Sequence, residues 1–239
     1  MELFKELGLD LNKKEVISFV GGGGKTTSLK SLAKELMDCG LKVLITTSTM
    51  IFEPMKGEGA HFFLGDIPLD FQPKKHSITI LGEGLRNEKL IGSSIEKIDE
   101  INNRRLFDYI LIEADGAKRK PIKAPEAHEP VIASSTTITI GVMGIDAIGY
   151  EINEDIAHRP ERLKEILNVE ENHIIDSNDM VNLALHPQGI FKSSKGKKIL
   201  FINKIKGEGN ISIGKEVRDR LNGSDIQVII GDVMNKVYY

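Results

Sequence analysis

The chain of 239 residues contains one cysteine, no tryptophan and no long apolar run. A single cysteine, Cys39, can form neither an intramolecular disulfide nor a cysteine-based zinc cluster, which favours a reducing compartment. No segment approaches the ~20 apolar residues of a transmembrane helix, and the first residues lack the apolar stretch of a signal peptide. We therefore expect a soluble, cytoplasmic protein without a membrane partner.

The sequence also lacks an excess of charge of one sign. It has 32 basic and 35 acidic residues, for a formal net charge of −3. A nucleic-acid-binding surface needs a surplus of Lys and Arg to neutralise phosphates, so the composition argues against a nucleic-acid partner. The length suits one large domain, and we expect residues 1–239 to form it.

Short apolar runs alternate with amphipathic stretches along the chain. The predicted strands are residues 15–20, 41–45, 77–81, 107–113, 136–142, 198–203 and 226–230. Continuous apolar strands that alternate with helices are typical of a parallel sheet covered on both faces. The fold class that we predict is α/β, a P-loop NTPase-like three-layer α/β/α arrangement with a mostly parallel sheet.

Residues 146–191 follow a different pattern. They contain Pro160 and Pro187, and helical periodicity is evident in residues 161–167 and 177–185. We expect a small helical insert or lid here, placed between two strands of the sheet.

Four consecutive glycines mark the end of the first predicted strand. The segment reads Gly21, Gly22, Gly23, Gly24, Lys25, Thr26 and Thr27, and an amphipathic helix follows. Glycine lets backbone N–H groups turn toward an anion, and the helix N-terminus adds positive potential. This order predicts a phosphate-binding loop, with a glycine-rich turn and a solvated lysine as the alternative.

Each polar residue of this loop has an expected role. Lys25 would reach the β- and γ-phosphates, Thr26 would offer its hydroxyl to Mg²⁺, and Thr27 would bind the α-phosphate or cap the helix. The first glycine of G-x-x-x-x-G-K-[ST] is replaced by Phe19. The shorter G-x-x-G-K-T-T resembles the loop of Mur-ligase-like and folylpolyglutamate-synthetase-like ATP enzymes.

Two carboxylates follow the apolar run of residues 107–112. Glu113 and Asp115 are two positions apart, so in a continued strand they share one face at its carboxyl end, where α/β sheets bind ligands. We expect Asp115, with Thr26, to hold Mg²⁺ and Glu113 to orient water or an acceptor, although the two roles are interchangeable on the sequence alone. The alternative is an acidic turn at Asp115 and Gly116.

Further polar residues lie at the same predicted edge of the sheet. Thr47 and Thr49 follow the second strand and are candidate ligands of metal, phosphate or substrate, or else ordinary turn residues. The candidate contacts to an anionic substrate are Lys118, Arg119, Lys123, His128, His158 and Arg159, with a solvated basic loop as the alternative. Both histidines are expected in loops or at helix starts, without partners at metal-ligand spacing.

Asn203 is a candidate contact to a base or ribose. The segment Asn203 to Lys206 begins like the guanine-reading N-K-x-D motif, but Lys206 occupies the position of the acid. Without that carboxylate there is no acceptor for the guanine N1–H and N2–H groups, so selectivity for GTP is not supported.

Several blocks occur together in a fixed order. They are GGGGKTT, TTSTM, LIEADGAKRKPIKAPEAHEPVI, GIDAIG with AHRPE, HPQGIFK and FINK. In this combination the chain resembles the YqeC family, selenium-dependent hydroxylase accessory proteins also called selenium cofactor biosynthesis proteins. The resemblance implies a P-loop-type nucleotide-binding protein that helps mature selenium-dependent molybdenum hydroxylases.

The sequence supports three functions. The leading one is an ATP- or GTP-dependent, Mg²⁺-requiring enzyme that uses nucleotide hydrolysis or phosphoryl transfer in cofactor maturation. Its partner would be a selenium or molybdenum cofactor intermediate, or a hydroxylase apoprotein. The alternatives are a nucleotide-gated scaffold without multiple turnover, and a ligase or kinase that acts on a small acid.

Overall fold

The computed structural model describes residues 1–52, 60–86 and 89–239, which contain six α-helices and fourteen strands. The helices are α1 (Leu3–Glu6), α2 (Lys25–Asp38), α3 (Ile95–Asn103), α4 (Pro160–Leu167), α5 (Ser177–Leu185) and α6 (Gly207–Leu221). The strands are β1 (Glu15–Gly21), β2 (Lys42–Thr47), β3 (Met50–Phe52), β4 (Ala60–Leu64), β5 (Ser77–Gly82), β6 (Gly84–Arg86), β7 (Lys89–Ile91), β8 (Tyr109–Glu113), β9 (Ile122–Lys123), β10 (Ile138–Gly144), β11 (Ala157–His158), β12 (Lys197–Asn203), β13 (Ile226–Asp232) and β14 (Val237–Tyr238).

Nine strands form the main sheet, in the order β14-β13-β12-β10-β1-β8-β2-β5-β4. Every pairing in it is parallel except that of β13 with β14. All seven predicted strands are present in this sheet, so the predicted mostly parallel α/β architecture is confirmed. Two small sheets stand beside it, a parallel pair of β9 and β11 and an antiparallel group of β3, β7 and β6.

Helices cover both faces of the sheet because β1 is apolar on both of its sides. Ile17 and Phe19 pack with the buried residues of α1 and α2. Val16 and Val20 belong to a second cluster, which holds the buried residues of α3, α4, α5 and α6. The alternation of side chains along a strand thus gives two apolar cores, one on each face.

Helix α2 begins directly after the glycines and lies on one of these cores. Leu29, Leu32 and Leu36 recur at helical spacing and are almost fully buried. The N-cap is Gly24 in a left-handed conformation, and no side chain caps the helix, so the expectation that Thr27 caps it is wrong. Gly40, at φ +91°, follows the C-cap Cys39 and ends the helix.

Residues 146–191 contain the two helices that their periodicity predicts, α4 and α5. Helix α5 is N-capped by Asp176, and Asp179 completes a capping box. Leu163 of α4 and Leu183 of α5 belong to the same apolar cluster as Val217 of α6. This segment therefore packs its apolar faces into one core of the sheet.

Among the described residues, every helix is too short or too polar to span a bilayer.

Candidate functional site

The glycine loop lies at the carboxyl edge of the sheet, at a change of chain direction. Strand β1 is flanked by β8 on one side and β10 on the other. The chain leaves β1 through α2 and enters β2, which lies on the side of β8, whereas β10 and β12 lie on the opposite side. In open α/β sheets a crevice for ligands forms at such a switch point.

Close packing against β10 requires glycine at two positions of the loop. A Cβ at Gly23 would lie 2.1 Å from the Gly144 nitrogen, and a Cβ at Gly21 would lie 2.5 Å from the Val142 oxygen. Both residues also have positive φ angles, of +60° and +94°. The backbone of the loop can therefore approach the end of β10 only without side chains.

The first N–H groups of the loop are hydrogen-bonded within the protein. Gly22 donates to the Val142 carbonyl at 2.9 Å, and Gly23 donates to the Lys120 carbonyl at 3.0 Å. These two amides therefore hold the loop against β10 and the segment that precedes β9, and they are not turned toward a ligand.

The next four N–H groups have no acceptor within the described residues. They belong to Gly24, Lys25, Thr26 and Thr27, the N-cap and first turn of α2. Helix geometry leaves the first N–H groups without intrahelical partners, and their partial positive charges favour an anion. Four adjacent backbone N–H groups at a switch point of the sheet form a suitable binding site for a phosphate group.

Lys25 is folded into this site and is only 3% exposed. Its ammonium donates to the Gly21 carbonyl and lies 2.9 Å from Asp115 Oδ1 and 4.0 Å from Glu113 Oε1. The alternative of a solvated lysine is therefore wrong. The structure brings the predicted lysine and both predicted carboxylates together.

The two carboxylates have different partners. Glu113 Oε2 accepts a hydrogen bond from the Thr26 hydroxyl at 2.7 Å, and burial raises its pKa against the lowering effects of Lys25 and Thr26. Asp115 Oδ2 accepts from the Gly21 N–H at 3.0 Å and lies 3.0 Å from the Lys123 ammonium. Glu113 thus faces the threonine, and Asp115 faces the lysines.

A chain of alternating charges continues from Asp115. Lys123 lies 2.8 Å from Glu129 Oε2, and the same oxygen accepts a hydrogen bond from Arg159. Arg159 also lies 3.1 Å from Glu126 Oε1. Burial of Glu129 opposes its ionisation, but Arg159 and Lys123 outweigh that effect and lower its pKa to about 2.

The low pKa of Glu129 makes a prediction for acid stability. Because the folded pKa of about 2 lies below the ordinary value of 4.5, the stabilisation is complete above pH 4.5 and is lost as the pH falls toward 2. Relative to Glu129→Gln, the wild type is expected to lose about 3 kcal/mol of unfolding free energy across that range, measured by urea denaturation.

The matched control is Glu165→Gln. Glu165 also pairs with an arginine, Arg162, at 2.9 Å, but its side chain is 64% exposed. Exposed pairs contribute little, so the stability of this variant should follow the wild type at every pH. A constant difference between wild type and Glu129→Gln from pH 6 to pH 2.5 would show that Glu129 does not titrate as stated.

Thr47 and Thr49 lie beside Glu113. The Thr47 hydroxyl is buried and donates to the Glu113 carbonyl at 2.8 Å, and the two threonine hydroxyls are 3.3 Å apart. Thr47 therefore supports the end of β8.

The structure separates the basic and histidine candidates by exposure. His128, Lys118 and Arg119 are exposed, and the last two have left-handed backbone angles. His158 lies in β11 and not in a loop, in register with Lys123. Burial and the cations Arg159, Lys123 and Lys118 lower its pKa to about 4, so the imidazole is neutral at physiological pH.

Both polar atoms of the Asn203 side chain are hydrogen-bonded to the protein backbone. Its amide N–H donates to the Gly23 carbonyl at 2.8 Å, and its amide oxygen accepts from the Val233 N–H at 3.1 Å. The side chain is buried and ties the glycine loop to the end of β13. Sequence reasoning did not identify Glu129, whose place in the charge chain depends on the fold of residues 116–130.

The fold and the site define a mixed α/β protein with a glycine-rich strand–loop–helix unit, a buried lysine and two carboxylates at one sheet edge. The family described as YqeC protein matches residues 17–161. A relative named uncharacterized protein YqeC, from Escherichia coli (strain K12), is 34% identical over 223 residues, which cover 91% of this chain and 87% of the relative. The chain therefore belongs to the YqeC family.

Proposed function

We propose that this protein binds a nucleoside triphosphate with Mg²⁺ at the glycine loop and cleaves it by hydrolysis or by transfer of a phosphoryl group. The observation that carries the proposal is the row of four N–H groups from Gly24 to Thr27, unpaired within the described residues, beside a buried lysine. Backbone donors fix the phosphate, and the Lys25 ammonium adds a mobile positive charge for the β- and γ-phosphates.

The residues fit a magnesium ion next to that phosphate. The Thr26 hydroxyl oxygen and Glu113 Oε2 are 2.7 Å apart, and both are oxygen atoms that can coordinate a metal ion. Mg²⁺ is commonly held by one or two carboxylates together with substrate phosphates and water. The geometry supports Glu113 over Asp115 as the partner of Thr26 in holding Mg²⁺, since Asp115 is engaged by Gly21 and two lysines.

Mg²⁺ would neutralise charge that develops on the transferred phosphoryl group. The protein would contribute the N–H groups of α2 and Lys25, which hold the phosphate in place while negative charge is redistributed. Before a phosphate binds, Asp115 would hold the Lys25 ammonium next to the glycine loop.

The biological role that we propose is the maturation of selenium-dependent molybdenum hydroxylases, with ATP or GTP as the energy source. Its support is the order of sequence blocks shared with the YqeC family, together with the phosphate site. The anionic partner would approach Lys118 and Arg119, which are exposed. They directly precede Lys120, whose carbonyl accepts the hydrogen bond from the Gly23 N–H of the glycine loop. Guanine selectivity has no support, because Lys206 is the N-cap of α6 where an acid would be needed.

A nucleotide panel tests the proposal. ATP, GTP, CTP and inorganic tripolyphosphate are each added with and without Mg²⁺, and the melting temperature is recorded. A ligand at 100 times its Kd stabilises the native state by about 2.7 kcal/mol, so binding is expected to raise the melting temperature by several degrees. No shift with any triphosphate would refute the proposal.

A substitution at Thr26 tests the magnesium site. Thr26→Val removes the hydroxyl at nearly constant size, and we expect the affinity for Mg²⁺–ATP to fall about tenfold or more. The affinity for ATP without Mg²⁺ should not change. Thr26→Ser is the matched control because it retains the hydroxyl and should bind like the wild type. Titration calorimetry measures all three proteins, and equal Mg²⁺ dependence of Thr26→Val and wild type would contradict the assignment.

A further inference from the structure

Lys123 is buried between two carboxylates. Its ammonium lies 3.0 Å from Asp115 Oδ2 and 2.8 Å from Glu129 Oε2, and its side chain is 1% exposed. Both contacts lie at ion-pair distance without hydrogen-bond geometry. The expectation that Lys123 binds substrate therefore has no support, because the charge is enclosed by protein.

Lys123 completes a set of charges that is neutral without Lys25. The buried anions are Asp115 and Glu129, and the cations are Lys123 and Arg159; Arg159 also pairs with Glu126, whose side chain is 42% exposed to solvent. Each anion contacts a cation of the set, so none of the four needs Lys25 for neutrality. The other carboxylate near Lys25 is Glu113, at 4.0 Å.

Binding of a phosphate would draw the Lys25 ammonium away from Asp115 Oδ1, where it now lies at 2.9 Å. Asp115, 2% exposed, would then depend on the Gly21 N–H and on Lys123. A buried carboxylate that loses its last cation is strongly destabilised. Without Lys123, phosphate binding would leave the Asp115 carboxylate buried without a cation, and this would weaken the binding.

We propose that Lys123 is a positioning residue: it stabilises the Asp115 carboxylate while Lys25 is bound to phosphate, and so keeps Lys25 available to the nucleotide. This inference rests on the proposed nucleotide site. It assigns Lys123 a role in binding, through Asp115, without contact to the ligand.

A double-mutant cycle with Asp115 tests the role. Lys123→Met is expected to weaken the binding of Mg²⁺–ATP about tenfold or more, as measured by titration calorimetry. Lys123→Arg retains the charge and should restore most of the affinity. In Asp115→Asn/Lys123→Met no carboxylate is left unpaired at position 115, so its affinity should match that of Asp115→Asn alone.

The recovery in the double variant separates this role from a structural one. A merely structural lysine would give a double variant that binds no better than Lys123→Met. Should the methionine variant fail to fold, Lys123→Gln, which can still donate to Glu129, enters the same cycle with the same expectation.

Lys164→Met is the matched control. Lys164 is also nearly buried, at 7% exposed, and pairs with Glu161 and Glu171 at 2.8 and 2.7 Å, but it lies on α4. Its loss should lower the melting temperature and leave nucleotide affinity unchanged.

Two results overturn the inference: wild-type affinity in Lys123→Met, or no recovery in the double variant. If the wild type itself binds no Mg²⁺–nucleotide, the proposed function fails instead. Binding by the wild type, together with loss of binding in Lys25→Met, shows that the nucleotide site stands independently of Lys123.

Discussion

Replacement of Lys25 by methionine is expected to weaken the binding of Mg²⁺–ATP about 100-fold or more. The ammonium contacts the Gly21 carbonyl of the glycine loop and Asp115, and methionine keeps most of the side chain's length without its charge. The fold should persist in this variant because Asp115 retains Lys123 and the Gly21 N–H as partners. Titration calorimetry measures the affinity, and the melting temperature confirms folding.

The control for this change is Lys34→Met on the same helix. Lys34 pairs with Asp38 at 3.2 Å, and its side chain is 58% exposed. We expect wild-type affinity, since exposed ion pairs contribute little and Lys34 is remote from the glycines in sequence. A Lys25→Met protein that is folded and binds Mg²⁺–ATP with wild-type affinity would exclude the glycine loop as the phosphate site.

Gly23→Ala is expected to lower the free energy of unfolding by about 3–5 kcal/mol. The new Cβ would lie 2.1 Å from the Gly144 nitrogen and 2.5 Å from the Met143 carbonyl carbon, both backbone atoms that cannot rotate aside. The positive φ of +60° adds backbone strain. Because the loop must move, phosphate binding should be lost as well. Urea denaturation and calorimetry measure the two effects.

Gly149→Ala separates the steric clash from the backbone strain. Gly149 has a φ of +84°, and a Cβ at this position would have no atom of the described residues within 4 Å. Its substitution should cost only about 1 kcal/mol, from the left-handed conformation alone. Equal losses in the two variants would mean that close packing of the glycine loop on β10 is unimportant.

Local patterns predicted the central part of the fold. The apolar run of β1, the glycines and the spacing of Leu29, Leu32 and Leu36 fix a strand–loop–helix unit within a short stretch of sequence. The carboxyl ends of parallel strands share one edge, so the approach of Glu113 to the glycine loop also followed from the sequence. Its contact with Thr26 confirms that they meet.

The missed parts depend on contacts between distant segments. Strands β9 and β11 have two residues each, which is too short to show the alternation of apolar and polar residues by which a strand is recognised. They pair because residues 116–123 and 145–158 meet in the fold. That pairing places Lys123 beside Asp115, whereas a basic stretch in the sequence suggests a solvated loop. The strands β6 and β7 are close in the sequence and pair with each other, and they were missed because three residues each are too few to show an alternating pattern.

The role of Asn203 could also not be predicted from the sequence. The residue resembles a base-reading asparagine, but its partners Gly23 and Val233 lie 180 and 30 residues away. Only the adjacency of β12 to β13 and β10 in the sheet explains why its amide is used to hold the loop.

Titration calorimetry of the wild-type protein with Mg²⁺–ATP, Mg²⁺–GTP and magnesium tripolyphosphate is the most direct test of the phosphate site. We predict saturable binding of one triphosphate per chain, weakened when Mg²⁺ is removed and lost in Lys25→Met. Absence of binding by all three ligands at millimolar concentration, in protein shown to be folded, would contradict it.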